Sequence, residues 1–530
     1  MDYRVSPTRP SPNNRKFYGW ILFLSGIIII TIVAIISFSF YLENEIERKV
    51  HLLNGRASDI DVNLITRSLK ISDLELDSLS DSTSSHQFYV RLNALSIRGL
   101  SYYELAKNNK IVIRKILLDS GVVRYKKVGN HPQDSILKTR FNFFLIKDLS
   151  FINIETRVQL DTIMNYAATV SGQLSGVRVS LDSVNKVNHS IERAEASLKN
   201  ISIYQNYGKY KGAIGSLYIN TEEEKIMLDS AWLIPTYGKY EFARQVGEQT
   251  ARLNVLIPQV ALEGVKFGGI KDSSLVASKI VITSFELFSF KDKRLPFLRT
   301  KNIPLPMAEF LKLPYRIQID SVVIKNSHIM IEEYPENGSE PYEIEIKDID
   351  ATVTGLINRP GKGMNAYAVM DASGLLLKTG RIKASFKFPL DGSATYRASG
   401  TISKIPFTQL NPVLKAVDVR VESGYLNSLT FNFDYTDFNS KGILEIDYED
   451  LRITSLDKNK TTTNEIRTVL INMFVKNSKN QFKSSSTKTG IIDIERDRKR
   501  YIFNVWLKSI LAGVKSSMVG GNPRQRDQKK

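Results

Sequence analysis

Residues 382–402 read IKASFKFPLDGSATYRASGTI, and the first seven decide the fold class. Ile382, Ala384, Phe386 and Phe388 alternate with Lys383, Ser385 and Lys387. A period of two places the apolar side chains on one face of a strand and the polar ones on the other. Pro389-Leu390-Asp391-Gly392 supplies turn chemistry, and the run from Ala394 to Ile402 completes an antiparallel hairpin. Leu429, Phe431, Phe433 and Tyr435 alternate in the same way with Thr430, Asn432 and Asp434. The wider composition agrees: 23 Tyr and 25 Phe among 530 residues, with abundant β-branched residues, favour a mainly β body. With 42% apolar and 24% charged residues the chain is globular in composition. Short helices are expected up to about Leu53, over Pro306 to Leu313, Phe407 to Ala416 and Thr463 to Val475, and finally over Tyr501 to Met518.

From Phe17 to Leu42 the sequence FYGWILFLSGIIIITIVAIISFSFYL carries no charge over 26 residues, where about 20 suffice to cross a hydrocarbon core as a helix. Tyr18, Trp20 and Tyr41 suit the interfacial belts. Arg4, Arg9, Arg15 and Lys16 precede the run while Glu43, Glu45 and Glu47 follow it, so the positive-inside rule places the N-terminus in the cytoplasm and the body across the membrane. A cleaved signal peptide is the competing reading, set against the length of the run and the poor cleavage site at Ser37-Phe38-Ser39. The net charge of +18 divides into +3 over residues 1–16, +8 over 496–530 and +7 for everything between. A body with so mild an excess, and without basic side chains interleaved with stacking aromatics, lacks a nucleic-acid footprint. Zero cysteine excludes disulfides and thiolate metal sites.

Two internal overlays indicate repetition. Residues 111–127 (IVIRKILLDSGVVRYKK) lie on 317–333 (IQIDSVVIKNSHIMIEE) with Gly121 facing Ser327. Residues 95–113 lie on 260–278 with Gly99 over Gly264. The bland alternative is that any two hairpins resemble each other to this degree.

Four stretches resemble the AsmA-like family of Gram-negative envelope proteins: IERKVHLLNGRASDIDVNLITRSLKISDLELDS after the apolar run, LPMAEFLKLPYRIQIDSVVIKNSHIMIEEY, SGTISKIPFTQLNPVLKAVDVRVESGYLNSLTFNFDY, and RDRKRYIFNVWLKSILAGVKSSM near the end. The resemblance implies one transmembrane helix followed by a long, curved, taco-like antiparallel β-sheet with an apolar groove that shelters phospholipid acyl chains. The organisation expected on this basis is a basic N-terminus at 1–16, a membrane helix at 17–42, β-groove regions at 43–300 and 301–495, and a basic amphipathic helix with a tail at 496–530. It further implies an inner-membrane anchor, a periplasmic body, glycerophospholipid as the partner, and a role in outer-membrane lipid supply. Apolar strand positions that would line the groove are Ile111, Ile113, Ile317, Ile319, Ile329, Ile331, Phe386, Phe388, Phe431 and Phe433.

The C-terminal helix places Phe503, Trp506 and Ile510 largely on one side, with Arg498, Lys499 and Arg500 preceding it. It would dock on a membrane or a partner, or else cap the end of the sheet. Signs of catalysis are sparse. His51, His86, His131, His189 and His328 show no metal-ligand spacing, and P-loop, dinucleotide and nucleophile-elbow motifs are missing. Ser485-Ser486-Thr487-Lys488 and Lys488-Thr489-Gly490 imitate penicillin-binding motifs but share one lysine. Glu332 with Glu333, and Glu343 with Glu345, read as solvated strand faces rather than glycosidase pairs. A non-enzymatic lipid handler without cofactor is therefore expected. The alternative is a scaffold for envelope assembly, binding other envelope proteins, with its core filled by side chains.

Overall fold

A computed structural model of the chain describes residues 55–63, 66–77, 86–127, 143–159, 164–181, 187–205, 208–267, 274–298, 302–336, 340–361, 367–391, 395–415, 419–455 and 487–519. The span expected at 17–42, the helices expected up to Leu53 and over Thr463–Val475, and the tail lie outside them. The chain divides into two compact units, 1–230 and 231–530.

The first unit holds β1 (Gly55–Arg56), β2 (Asp59–Asn63), β3 (Ser68–Asp77), β4 (His86–Leu100), β5 (Lys110–Lys127), β6 (Phe143–Gln159), β7 (Met164–Leu181), β8 (Val187–Ser190), β9 (Arg193–Gln205) and β10 (Tyr210–Asn220). The chain enters the second unit along β11 (Lys225–Pro235). There follow β12 (Arg252–Glu263), β13 (Ser274–Thr283), β14 (Glu286–Asp292), β15 (Arg316–Tyr334), β16 (Tyr342–Ile357) and β17 (Tyr367–Leu376). The unit ends with β18 (Gly380–Pro389), β19 (Tyr396–Pro406), β20 (Val419–Tyr435), β21 (Asn439–Ser455) and β22 (Lys488–Glu495). The hairpin expected around Pro389 is β18 paired antiparallel with β19. The pairing is mixed, however, where an antiparallel sheet was expected. β5 runs parallel to β6, and β13 and β14 both run parallel to β15. The links before β6 and β15, residues 128–142 and 293–315, exceed the dozen or so residues that a parallel crossover needs.

Helices are short: α1 (Tyr102–Asn108), α2 (Lys239–Val246), α3 (Pro306–Leu311), a 3₁₀ turn (Phe407–Leu410) running into α4 (Asn411–Lys415), and α5 (Ile502–Val519). The last three helical segments and α3 fall where the sequence places them. The first two carry no legible apolar stripe. Nothing in α1 is buried, and it is held by Ser101 accepting a hydrogen bond from the Glu104 N–H and by left-handed Asn109 at its end. Helix α2 buries only Phe242 and Ala243.

The two units contain the same four-strand module. In the first, β4 pairs antiparallel with β5, β5 parallel with β6, and β6 antiparallel with β7. In the second, β12 pairs antiparallel with β13 and β14, these pair parallel with β15, and β15 pairs antiparallel with β16. Left-handed residues fix the phase: Gly99 matches Gly264 (φ 72° and 65°), Ser120 matches Ser284 (43° and 55°), Asn153 matches Asn326 (50° and 48°), and Gly176 matches Gly355 (65° and 69°). At Gly99 a Cβ would stand 2.7 Å from the Arg114 Cβ, and at Gly264 one would stand 2.9 Å from the Ser278 Cβ, so both exits need glycine twice over. The Asn153 N–H donates to Ser171 Oγ (2.9 Å), and in the second copy the Asn326 N–H donates to Asp350 Oδ1 (3.0 Å).

The overlay of 95–113 on 260–278 is therefore in phase, whereas that of 111–127 on 317–333 is one strand out. Strand β5 is followed by its parallel neighbour, while β15 is preceded by its own. The partner of β15 is β6, residues 143–159 on 316–332.

Candidate functional site

Cross-strand neighbours share a face of a sheet, so each row of the ladder shows whether that face is covered. In the first module one row reads Ile97, Ile116, Leu149 and Leu174 across β4 to β7. Their exposures are 3%, 2%, 1% and 7%. The equivalent row of the second module reads Leu262, Ile280, Val322 and Val353, continuing to Met370 and then Phe386. All are apolar, and every one before Phe386 is partly exposed.

Neighbouring rows extend the open region. Val260, Ile282 and Ile324 lie in register on one side, and Val255, Leu287, Ile329, Ile346 and Leu376 on another. All of these are partly exposed. At the margins the face closes onto Ala277, Ile317 and Ile319, and onto the core around Phe386, Phe431 and Phe433. The first unit has its own continuous core, from Leu69 to Ile201.

Of the groove residues anticipated from sequence, Ile111 and Ile113 are each 1% exposed, and Ile317, Ile319, Phe386, Phe431 and Phe433 are likewise buried among side chains. A side chain so covered has no surface left for a ligand. Phe388 is partly exposed; Ile329 is on the open face, as is Ile331, which is 39% exposed. The residues missed, Leu262, Ile280, Val322, Ile346, Val353 and Met370 among them, alternate with polar neighbours as clearly as those anticipated. Alternation marks the inward face but not whether something lies over it.

The polar side chains nearby satisfy each other. His328 Nε2 lies 2.9 Å and Lys347 Nζ 3.1 Å from Glu345 Oε1. Burial works against ionisation of this carboxyl, but those two partners outweigh it and hold Glu345 below its usual range. Glu332 pairs with Lys239, and Glu333 pairs with Lys293 while accepting from the Tyr342 hydroxyl. Burial, and then the Glu333 charge, push that phenol above its ordinary value. Lys488 donates to Tyr448 Oη at 2.9 Å, an interaction with no counterpart in a serine-lysine pair. Among the described residues no group of three or more His, Asp or Glu side chains is placed to hold a metal.

A shallow trough of about 840 Å³ crosses β15 to β19. Its walls include Lys325, Asp350, Thr352, Asp371, Ser373, Lys383 and Ser385 but not Val353, Met370 or Phe386. It therefore opens on the polar side and is separate from the apolar face.

Helix α5 closes the second core. Ile502, Val505, Ser509, Val514 and Ser517 are buried, and Ser509 Oγ donates to Ser440 Oγ at 2.8 Å. A Cβ on Gly490 would stand 1.9 Å from the Gly513 carbonyl oxygen, a backbone approach only glycine allows. Trp506 stacks on Phe386 at 4.3 Å and Ile510 packs partly buried against the same core, while Phe503 is 69% exposed. Before the helix, Arg496 is 7% exposed and ties together Asp437, the Ile303 carbonyl (2.7 Å) and the Arg500 carbonyl (3.4 Å). Arg498 pairs with Asp437 at 2.6 Å, and Arg500 with Asp497 at 3.2 Å. The Lys499 N–H donates to Asp497 at 3.0 Å. Much of the basic run thus serves the fold.

Among the described residues no helix is long and apolar enough to cross a membrane. No family model and no curated protein matches the chain.

Proposed function

We propose that this chain is a membrane-anchored, AsmA-like lipid handler whose periplasmic body holds and conducts glycerophospholipid acyl chains on the open apolar face of its second unit, without covalent chemistry. One observation carries the reading: equivalent rows of the duplicated module are covered in the first copy and uncovered in the second. Leaving an oily face to water is costly, at about 25 cal/mol per Å². Contiguous exposed apolar surface of this kind marks a binding site. A sixteen-carbon acyl chain with half its surface against the face would gain roughly 6 kcal/mol, at ~0.8 kcal/mol per buried CH₂.

The test places a photo-crosslinking amino acid in the full chain in its native membrane, at Ile280, Val322 or Val353 and, as controls, at Ile116 and at Thr352 on the opposite face. Phospholipid adducts, read by mass spectrometry, are expected at the first three positions alone. Their absence there, with crosslinks to protein instead, would defeat the lipid reading. It would favour the scaffold alternative, to which the closed core of the first unit already lends support.

A further inference from the structure

Helix α5 is amphipathic in two directions, and only one of them is used by the fold. Its buried side, through Ile502, Val505, Ser509 and Val514, caps the core. On another side Phe503 (69% exposed) and Leu507 (53%) fall one turn apart, with Leu511 partly exposed one turn further. Lys508 and Lys515 follow at helical spacing along the border of this stripe. The segment from Arg496 to the end carries ten basic and two acidic residues.

From this we infer that α5 is a second membrane contact, lying in the plane of an anionic bilayer surface while its other side remains packed on β21 and β22. An apolar stripe bordered by lysines is what an interfacial helix needs: ring and leucine side chains enter the acyl boundary while ammonium groups meet phosphates. The charge complementarity decides the occupant, since a protein groove that accepted the stripe would have to be acidic as well as apolar. The sequence reading offered docking and capping as alternatives; on this helix they occupy different sides. The inference does not depend on the acyl-chain face, because no residue is shared between them.

The full chain is reconstituted in nanodiscs of neutral phosphatidylcholine and mixed with separate vesicles, either neutral or containing about 30% phosphatidylglycerol, a content in the range that attracts polybasic segments. Capture is read by flotation. Anionic vesicles are expected to bind and neutral ones not, with capture declining as salt is raised. Lys508→Glu with Lys515→Glu should weaken capture roughly thirtyfold or more, from the loss of two surface lysines. Phe503→Ser with Leu507→Ser should weaken it at least about tenfold. Both pairs should leave thermal melting unchanged, since the packed side of the helix is untouched, and lipid adducts at Val322 should persist. Failure of the unsubstituted chain to bind anionic vesicles, equal binding of neutral ones, or full capture by the Phe503 and Leu507 variant would overturn the inference.

Discussion

Ile116 and Ile280 are the same residue at the same place in two copies of one module, 2% exposed in the first and partly exposed in the second. Replacing each with alanine removes the same three carbons, so any difference in cost reports what lies over them. At Ile116 the lost transfer energy is about 2.4 kcal/mol at ~0.8 per methylene. A cavity follows, because Ile97 and Leu149 flank the site in register at 3% and 1% exposure. The total should reach about 3–4 kcal/mol. At Ile280 solvent already reaches the side chain, so roughly half the transfer term is lost and no closed cavity forms, giving about 1 kcal/mol. Unfolding of a chain with two units is not a single transition, so the comparison is best made by amide hydrogen exchange on peptides covering β5 and β13, in delipidated protein. Equal costs of 3 kcal/mol or more at both sites would mean that the second face is covered in solution, and the reasoning from exposure would be refuted.

Filling the open face should stabilise while it impairs: Ala372→Leu, between Ala351 and Ala384 in register, is expected to raise the melting temperature of the second unit and reduce lipid adducts at Val322. Arg496→Met should cost about 3–5 kcal/mol by stranding Asp437 and two carbonyls, read as early melting of the second unit. Gly490→Ala should drive α5 off β22, because its Cβ would meet the Gly513 carbonyl at 1.9 Å; a loss of about 3 kcal/mol or more and fast exchange over Ile502–Val519 are expected. Glu345, held below its ordinary value of 4.5 by Lys347 and His328 against the opposing effect of burial, stabilises the folded state above that value. This contribution should fade as the pH falls through the lower folded-state value, and Glu345→Gln should flatten acid melting curves over the same window.

The strands were legible because their period of two is imposed by a half-covered face, as at Ile382 to Phe388 and Leu429 to Tyr435. Helix α5 was legible for the same kind of reason, its apolar residues recurring at helical spacing. The phase of the repeat was only half legible. Any alternating strand can be laid on any other, so apolar matches between 111–127 and 317–333 carry little information. Phase is fixed instead by isolated left-handed residues, which the sequence marks merely as Gly99, Ser120, Asn153 and Gly176 and their counterparts. Parallel pairing was not legible either, since it follows from where a long connection returns the chain. Exposure of the candidate face lay furthest out of reach: Ile-Ile-Leu-Leu and Leu-Ile-Val-Val are equivalent as patterns, and their difference is tertiary.

The contrast between the two copies has a source in side-chain volume. In the first module a Cβ on Gly172 would stand 3.0 Å from Phe151 Cζ, so an aromatic ring fills the space that glycine leaves. The matching positions in the second module are Ala351 and Ile324, and the row continues through Ala372 and Ala384 before Phe431 again lies over Gly400, 2.7 Å from where its Cβ would be. Three alanines in succession across neighbouring strands, with no ring above them, cannot close the face by their own bulk. Unfilled apolar volume costs about 24 cal/mol per Å³ when it is sealed inside a core, yet an open face can recover that loss from any flexible apolar guest. The same module thus gives a sealed core where a phenyl ring is supplied from within, and a receptive surface where it is withheld.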